Sequence, residues 1–264
     1  MKRQLYYYFY TRRDTLYNKA NQIHFKCLEY YRNVFDEVFI CISIDDINDK
    51  ELIKDTEELF LNIFGGFKLT FKIIENNSKN NEAKFFYEEI LDKLDKLDLV
   101  FFAQNVYSCS YEHINYENLC YMIIGLYAIS LDDIKNAILP LTNGLFLTSG
   151  SYHMCFKNDQ RRYLYNFIWF NTKRIYVQLQ KNGLNIDFTE DDDYLDIFLE
   201  SIPKIAYCTI KNTATINDYF FYEYDIENSS TEMILKGINF IDNIYVITQR
   251  YVNNIYEIKK RIIS

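Results

Sequence analysis

Four apolar, aromatic-rich runs in the first hundred or so residues, each stopping abruptly on polar residues, constrain this chain more than any other feature. They read Tyr6-Tyr7-Tyr8-Phe9-Tyr10 into Thr11-Arg12-Arg13-Asp14, and Val38-Phe39-Ile40-Cys41-Ile42 into Ser43-Ile44-Asp45-Asp46. The third is Leu69-Thr70-Phe71-Lys72-Ile73-Ile74 into Glu75-Asn76-Asn77, and the fourth Leu99-Val100-Phe101-Phe102-Ala103 into Gln104-Asn105. The stretches between them, 15–34, 48–64 and 82–96, repeat apolar residues at helical spacing, with Asn48 as an N-cap and Gly65-Gly66 as a helix stop. Strands buried on both faces read as such continuous runs, and helices between them imply parallel pairing. The predicted fold class is α/β, a Rossmann-type, mostly parallel central sheet flanked by helices. Ligands of open α/β sheets sit beyond the carboxyl ends of the strands. The four polar exits should therefore line one rim, and that rim is the predicted site.

After Asn105 the pattern changes. A loop leads to an apolar helix through Tyr121, Met122, Ile124, Leu126, Tyr127 and Ile129. Leu145-Phe146-Leu147-Thr148 reads as a strand entering Ser149-Gly150-Ser151-Tyr152, and Tyr163 to Phe170 as another. A helix over 172–181 and a long closing helix over 241–262 complete the reading. No proline- or serine-rich linker separates the halves, so one compact domain over 1–264 is expected, with 106–264 as an elaborated second half.

The formal net charge of -8 excludes a nucleic-acid groove, which needs concentrated positive surface. Six cysteines without a CxxC pair point to free thiols in a reducing compartment. Lys2 and Arg3 precede an apolar stretch too short and too tyrosine-rich for a signal peptide, and no apolar segment approaches the roughly 20 residues of a membrane span. A soluble, cytoplasmic protein is expected. The 25 tyrosines and 21 phenylalanines accompany only seven glycines and two prolines, the bias of an AT-rich genome, so aromatic content alone points to no sugar site.

At the rim, Thr11, Arg12, Asp45, Asp46, Gln104 and Asn105 form the first candidate constellation. Thr11 or Arg12 would meet a nucleotide, Asp45 would accept ribose hydroxyls, and Gln104 or Asn105 would meet the sugar or diphosphate. The alternative is that these residues solvate strand ends and cap helices. The first exit contains no glycine, so neither GxGxxG nor GxxxxGK[ST] is present, and a nucleotide must be held in another way or not at all. Asp45-Asp46 or Glu190-Asp191-Asp192-Asp193 would suit a divalent cation, although the second cluster equally suits a helix N-terminus. His153 and Cys155 lack partners at ligand spacing, and no GxSxG elbow exists.

Two segments, Leu99-Val100-Phe101-Phe102-Ala103-Gln104-Asn105 and Tyr165-Asn166-Phe167-Ile168-Trp169-Phe170-Asn171-Thr172-Lys173, resemble paired signatures of bacterial capsule and surface-polysaccharide glycosyltransferase-like proteins. Val34-Phe35-Asp36-Glu37 and Ile42-Ser43-Ile44-Asp45-Asp46 resemble the same family, and the likeness covers about residues 4–203. It implies a GT-A-like fold and transfer of a sugar from a nucleotide-sugar donor to a capsule, lipopolysaccharide or lipid-linked glycan acceptor. The place would be the cytoplasm or the inner face of the plasma membrane, with Mn²⁺ or Mg²⁺ as the cation if one is used. Residues 1–105 would then be the nucleotide-binding half and 106–264 the acceptor side. Thr11, Arg12, Arg13, Asp45, Gln104 and Asn105 would bind the donor, Trp169, Asn171 and Tyr152 the acceptor or sugar, and Glu200 and Asp46 would be the catalytic carboxylates. Trp169 alternatively reads as a core ring, and Glu200 as a surface helix carboxylate. Where the family shows His-x-Lys-Gly, this chain has Gln104-Asn105-Val106-Tyr107. Either Arg12 or Arg13 substitutes for the lysine, or the donor differs, or catalysis is lost and a binding protein of the same fold remains.

Overall fold

The computed structural model describes residues 1–77, 80–105, 147–155, 160–183 and 207–209, with single positions at 123, 127, 138, 139, 141–143, 194, 195 and 198. Seven strands make one sheet: β1 (Arg3–Thr11), β2 (Glu37–Ile44), β3 (Lys68–Glu75), β4 (Leu99–Gln104), β5 (Thr148–Cys155), β6 (Gln160–Asn171) and β7 (Tyr207–Thr209). Their order is β3-β2-β1-β4-β6-β5-β7. β1 pairs in parallel with β2 and β4, and β2 with β3, while β6 runs antiparallel to both β4 and β5. The fold is thus the expected Rossmann-type α/β arrangement, with one reversed strand.

β1 lies inside the sheet between β2 and β4, and its apolar run is continuous because both faces are covered. Leu5, Tyr7 and Phe9 share one core cluster with residues of helices α1 (Lys19–Tyr31) and α2 (Lys50–Ile63). Tyr6 and Tyr8 share the other with residues of α3 (Asn81–Glu89) and α4 (Thr172–Lys181). β3 closes one edge and is only half-buried. Lys72 on that edge binds Glu88 at 2.8 Å and Glu89 at 2.7 Å, a charged edge that discourages further strand pairing.

Several boundaries differ from the sequence reading. α1 begins at Lys19 because residues 12–18 form a turn and Asn18 is the N-cap, accepting from the Asn21 amide at 2.8 Å. Asp49 caps α2 in place of Asn48, accepting from the Leu52 amide at 3.1 Å. Gly66, at φ +90, turns the chain out of α2 where an L side chain would be strained. Ser149 to Tyr152 belong to β5 itself, and β7 had no sequence signal. The helix expected over 241–262 and the acidic run 190–193 lie outside the described residues.

Candidate functional site

Strand order places the switch point between β1 and β4: from β1 the chain moves outward through β2 and β3, then returns to β1's other side as β4. A crevice at the carboxyl ends of these strands follows from that topology. Because β1 to β4 are mutually parallel and in register, Thr11, Asp45, Gln104 and Asn105 come to the same rim. Asp45 and Gln104 flank β1 on either side, Gln104 level with Tyr8 and Asp45 one residue past the Thr11–Ile44 pair, so they stand about 16 Å apart at ordinary strand spacing and rise.

A hydrogen-bond chain runs along this rim. The Tyr10 hydroxyl donates to Asp45 Oδ1 at 2.8 Å, and Asn76 Nδ2 donates to the same oxygen at 3.2 Å. Asn81 Nδ2 reaches the Glu75 carbonyl at 2.9 Å and Asn76 Oδ1 at 3.4 Å. On the β4 side, Asn105 Oδ1 accepts the Tyr10 amide at 2.9 Å, and its Nδ2 donates to the Tyr10 carbonyl at 2.7 Å. Losing that amide would leave buried groups unmatched, at a cost of about 1–3 kcal/mol. Tyr10, Asn21, Asn76 and Asn81 were not singled out from the sequence. Only Asn76 carried a signal, as part of the polar exit of the third run.

Each expected donor residue has a definite place. Thr11 is buried at the end of β1, and its hydroxyl donates to the Arg12 carbonyl at 3.2 Å. Arg12 is half-exposed at the mouth, its Nε 3.9 Å from Asp14. Arg13 turns away toward the start of α2, donating from Nε and Nη2 to Asp49 at 2.7 and 2.6 Å and from Nη1 to Glu51 at 2.8 Å. These hydrogen bonds raise the Arg13 pKa and hold the Asp49 carboxyl below its usual range. Asp46 closes an Asx turn, accepting the Asn48 amide at 2.9 Å.

Among the described residues, no three His, Cys, Asp or Glu side chains gather as a metal-holding group. Asp45 and Asp46 are two exposed carboxylates that accept protein hydrogen bonds through Oδ1.

The acceptor-side residues are placed differently. β6 is reversed, so Asn171 pairs with Leu99 at the amino end of β4, on the rim opposite the exits. Trp169 is 2% exposed and stacks on Phe101 at 5.0 Å and Phe35 at 5.8 Å, the core position allowed by the sequence. Asn171 caps α4, accepting the Arg174 amide at 3.2 Å, and donates to the Leu141 carbonyl at 2.8 Å. The structure therefore separates both from the rim. β6 extends past the carboxyl end of β4, so the backbone of Tyr152, opposite Tyr163 in the β5–β6 pair, stands on the rim side of the sheet. Glu200 lies outside the described residues.

A groove of about 460 Å³ lies elsewhere, between α1 and α2, lined by Tyr17, Phe25, Leu59 and Ile63 with Lys26 and Asp55. It is lined mainly by residues of the two helices, with Tyr17 from the turn that follows β1. The rim is the stronger candidate because topology and polar side chains converge there.

No family model matches the chain, and no curated protein matches it. Among solved structures it is similar to the crystal structure of S. aureus TarS 1-349, with a TM-score of 0.39 and 11% identity over 81% of this chain and 65% of that one. The chain thus spans less than two thirds of that structure's length, and a likeness this remote carries no functional argument. No helix among the described residues is long and apolar enough to cross a membrane.

Proposed function

We propose that this chain is a glycosyltransferase of GT-A-like fold that moves a sugar from a nucleotide-sugar donor to a surface-polysaccharide or lipid-linked glycan acceptor. The proposed setting is the cytoplasm or the inner face of the plasma membrane. The observation that supports it best is the switch-point rim, where Asp45, Arg12, Gln104 and Asn105 stand at the carboxyl ends of three adjacent parallel strands. An acid, a cation and the Gln104 amide suit a ribose, a diphosphate and a sugar, with Asn105 as a support behind them, and the family resemblance of the sequence gives that chemistry its direction. Residues 1–105 would hold the donor and 106–264 the acceptor. Positioning of the two reactants and stabilisation of the leaving diphosphate would supply most of the rate. Asp46 and Glu200 are the carboxylates proposed to assist proton removal from the acceptor.

A second reading is a nucleotide- or sugar-binding protein without turnover. Arg13, one of the two candidates for the missing lysine, is engaged by Asp49 and Glu51, so the transferase reading depends on Arg12 alone. A thermal-shift screen against UDP-, GDP-, CMP- and dTDP-sugars, with and without Mn²⁺, tests both. A donor at about a hundred times its Kd stabilises by about 2.7 kcal/mol. Stabilisation with turnover supports the transferase, stabilisation without turnover supports the binder, and no stabilisation by any of the four overturns both.

A further inference from the structure

β1 outruns β4 at the carboxyl rim: Tyr8 pairs with Gln104, the last residue of β4, while β1 continues to Thr11. The main chain of Tyr10 on that side has no β4 residue to pair with. The Asn105 side chain supplies one, accepting the Tyr10 amide at 2.9 Å and donating to its carbonyl at 2.7 Å. A carboxamide carries the same donor and acceptor as a peptide group, which is why an asparagine serves here.

The second Nδ2 hydrogen of Asn105 goes to Asn21 Oδ1 at 3.0 Å, and Asn21, on α1, is wholly buried. Asn21 Nδ2 in turn donates to the Thr15 carbonyl at 2.8 Å. Thr15 closes the turn on Arg12: its Oγ1 accepts the Arg12 amide at 3.0 Å, and its own amide donates to the Arg12 carbonyl at 3.1 Å. Two joined carboxamides therefore anchor the chain on both sides of Arg12, through Tyr10 before it and Thr15 after it.

We infer that Asn21 and Asn105 are positioning residues that hold Arg12 at the mouth of the rim, ready for the diphosphate of a nucleotide donor; the diphosphate part rests on the function proposed above. Asn105 then acts through the main chain of β1 and does not itself touch the donor. A cation fixed in advance loses less freedom when an anion binds. An aspartate at either position keeps the shape and the acceptor but loses the donor, so both positions require an amide.

The experiment compares Asn105→Asp, Asn21→Asp, Thr15→Val and Thr15→Ser with the parent chain. It measures amide hydrogen exchange at Tyr10 and Arg12, and affinity for UDP, GDP, CMP and dTDP. The first three variants should speed Arg12 exchange and weaken binding of the preferred nucleotide by about three- to tenfold each. Thr15→Ser should restore both. Thr15→Val tests the link from Thr15 to Arg12, and Asn21→Ala and Asn105→Ala, which bury no new charge, decide the role of the carboxamides should either aspartate variant fail to fold. Adding Arg12→Ala should leave binding no weaker than Arg12→Ala alone. Unchanged Arg12 exchange in folded variants overturns the anchoring, and a further loss on top of Arg12→Ala overturns action through Arg12. If Arg12→Ala leaves binding intact, the role of Arg12 in the donor site falls, while the exchange rates still decide the anchoring.

Discussion

Trp169→Ala should destabilise the protein heavily. The ring is 2% exposed, and it clusters with Phe101 and Phe35 at interplanar angles of 26° and 17°, those two rings also touching each other at 6.1 Å. Truncating a buried Trp to Ala typically costs about 3–5 kcal/mol, a large part of the 5–15 kcal/mol that usually holds a domain together. At about 2–4 °C per kcal/mol for a chain near this size, Tm should fall by about 6–20 °C. Circular dichroism is the assay, because Trp169 is the sole tryptophan and its removal takes away the tryptophan emission that would otherwise report on both proteins alike. Trp169→Phe keeps a ring in the stack and should lose less than half as much. A Trp169→Ala variant melting within about 2 °C of the parent would refute the packing argument. It would also return the ring to the list of candidate sugar platforms.

Asn171→Ala should cost about 1–3 kcal/mol by urea unfolding, from the lost α4 cap and the unmatched Leu141 carbonyl, with nucleotide affinity unchanged. Asp49 is held below the usual carboxyl range first by the Arg13 hydrogen bonds and then by the Leu52 amide. Its contribution is therefore present above the ordinary carboxyl pKa and is lost as the pH falls below about 4. Melting curves from pH 6 downward should show Arg13→Ala losing less stability in acid than the parent; an equal loss would contradict the pairing. Burial pushes the Cys41 thiol up to about 12, so a thiol reagent at pH 8 should label Cys41 only after unfolding, as read by mass spectrometry.

The sheet was legible because β1, β2 and β4 are buried on both faces, which leaves an uninterrupted apolar signature such as Leu99 to Ala103. The rim was legible for the same reason, since each run ends where the chain leaves the core. The roles of individual rim residues were not. Arg12 and Arg13 are neighbours of one type, and only the position of Asp49 and Glu51 on α2 sends Arg13 outward. Asn21 looks like any polar residue in a helical pattern, since its value lies in a contact with Asn105, 84 residues on. The family resemblance that assigns Trp169 and Asn171 to the acceptor or sugar carries no strand direction. β6 runs against β4, so its polar end reaches the opposite rim.

The most direct test of the rim as the nucleotide site is a ¹H–¹⁵N chemical-shift map recorded while the best-stabilising nucleotide sugar is titrated into the labelled protein. Shifts should concentrate at Tyr10 to Thr15, Asp45 to Asn48, Asn76 and Gln104-Asn105. Shifts confined to the α1–α2 groove around Tyr17, Phe25 and Leu59, or to the opposite rim around Asp98 and Asn171, would contradict it.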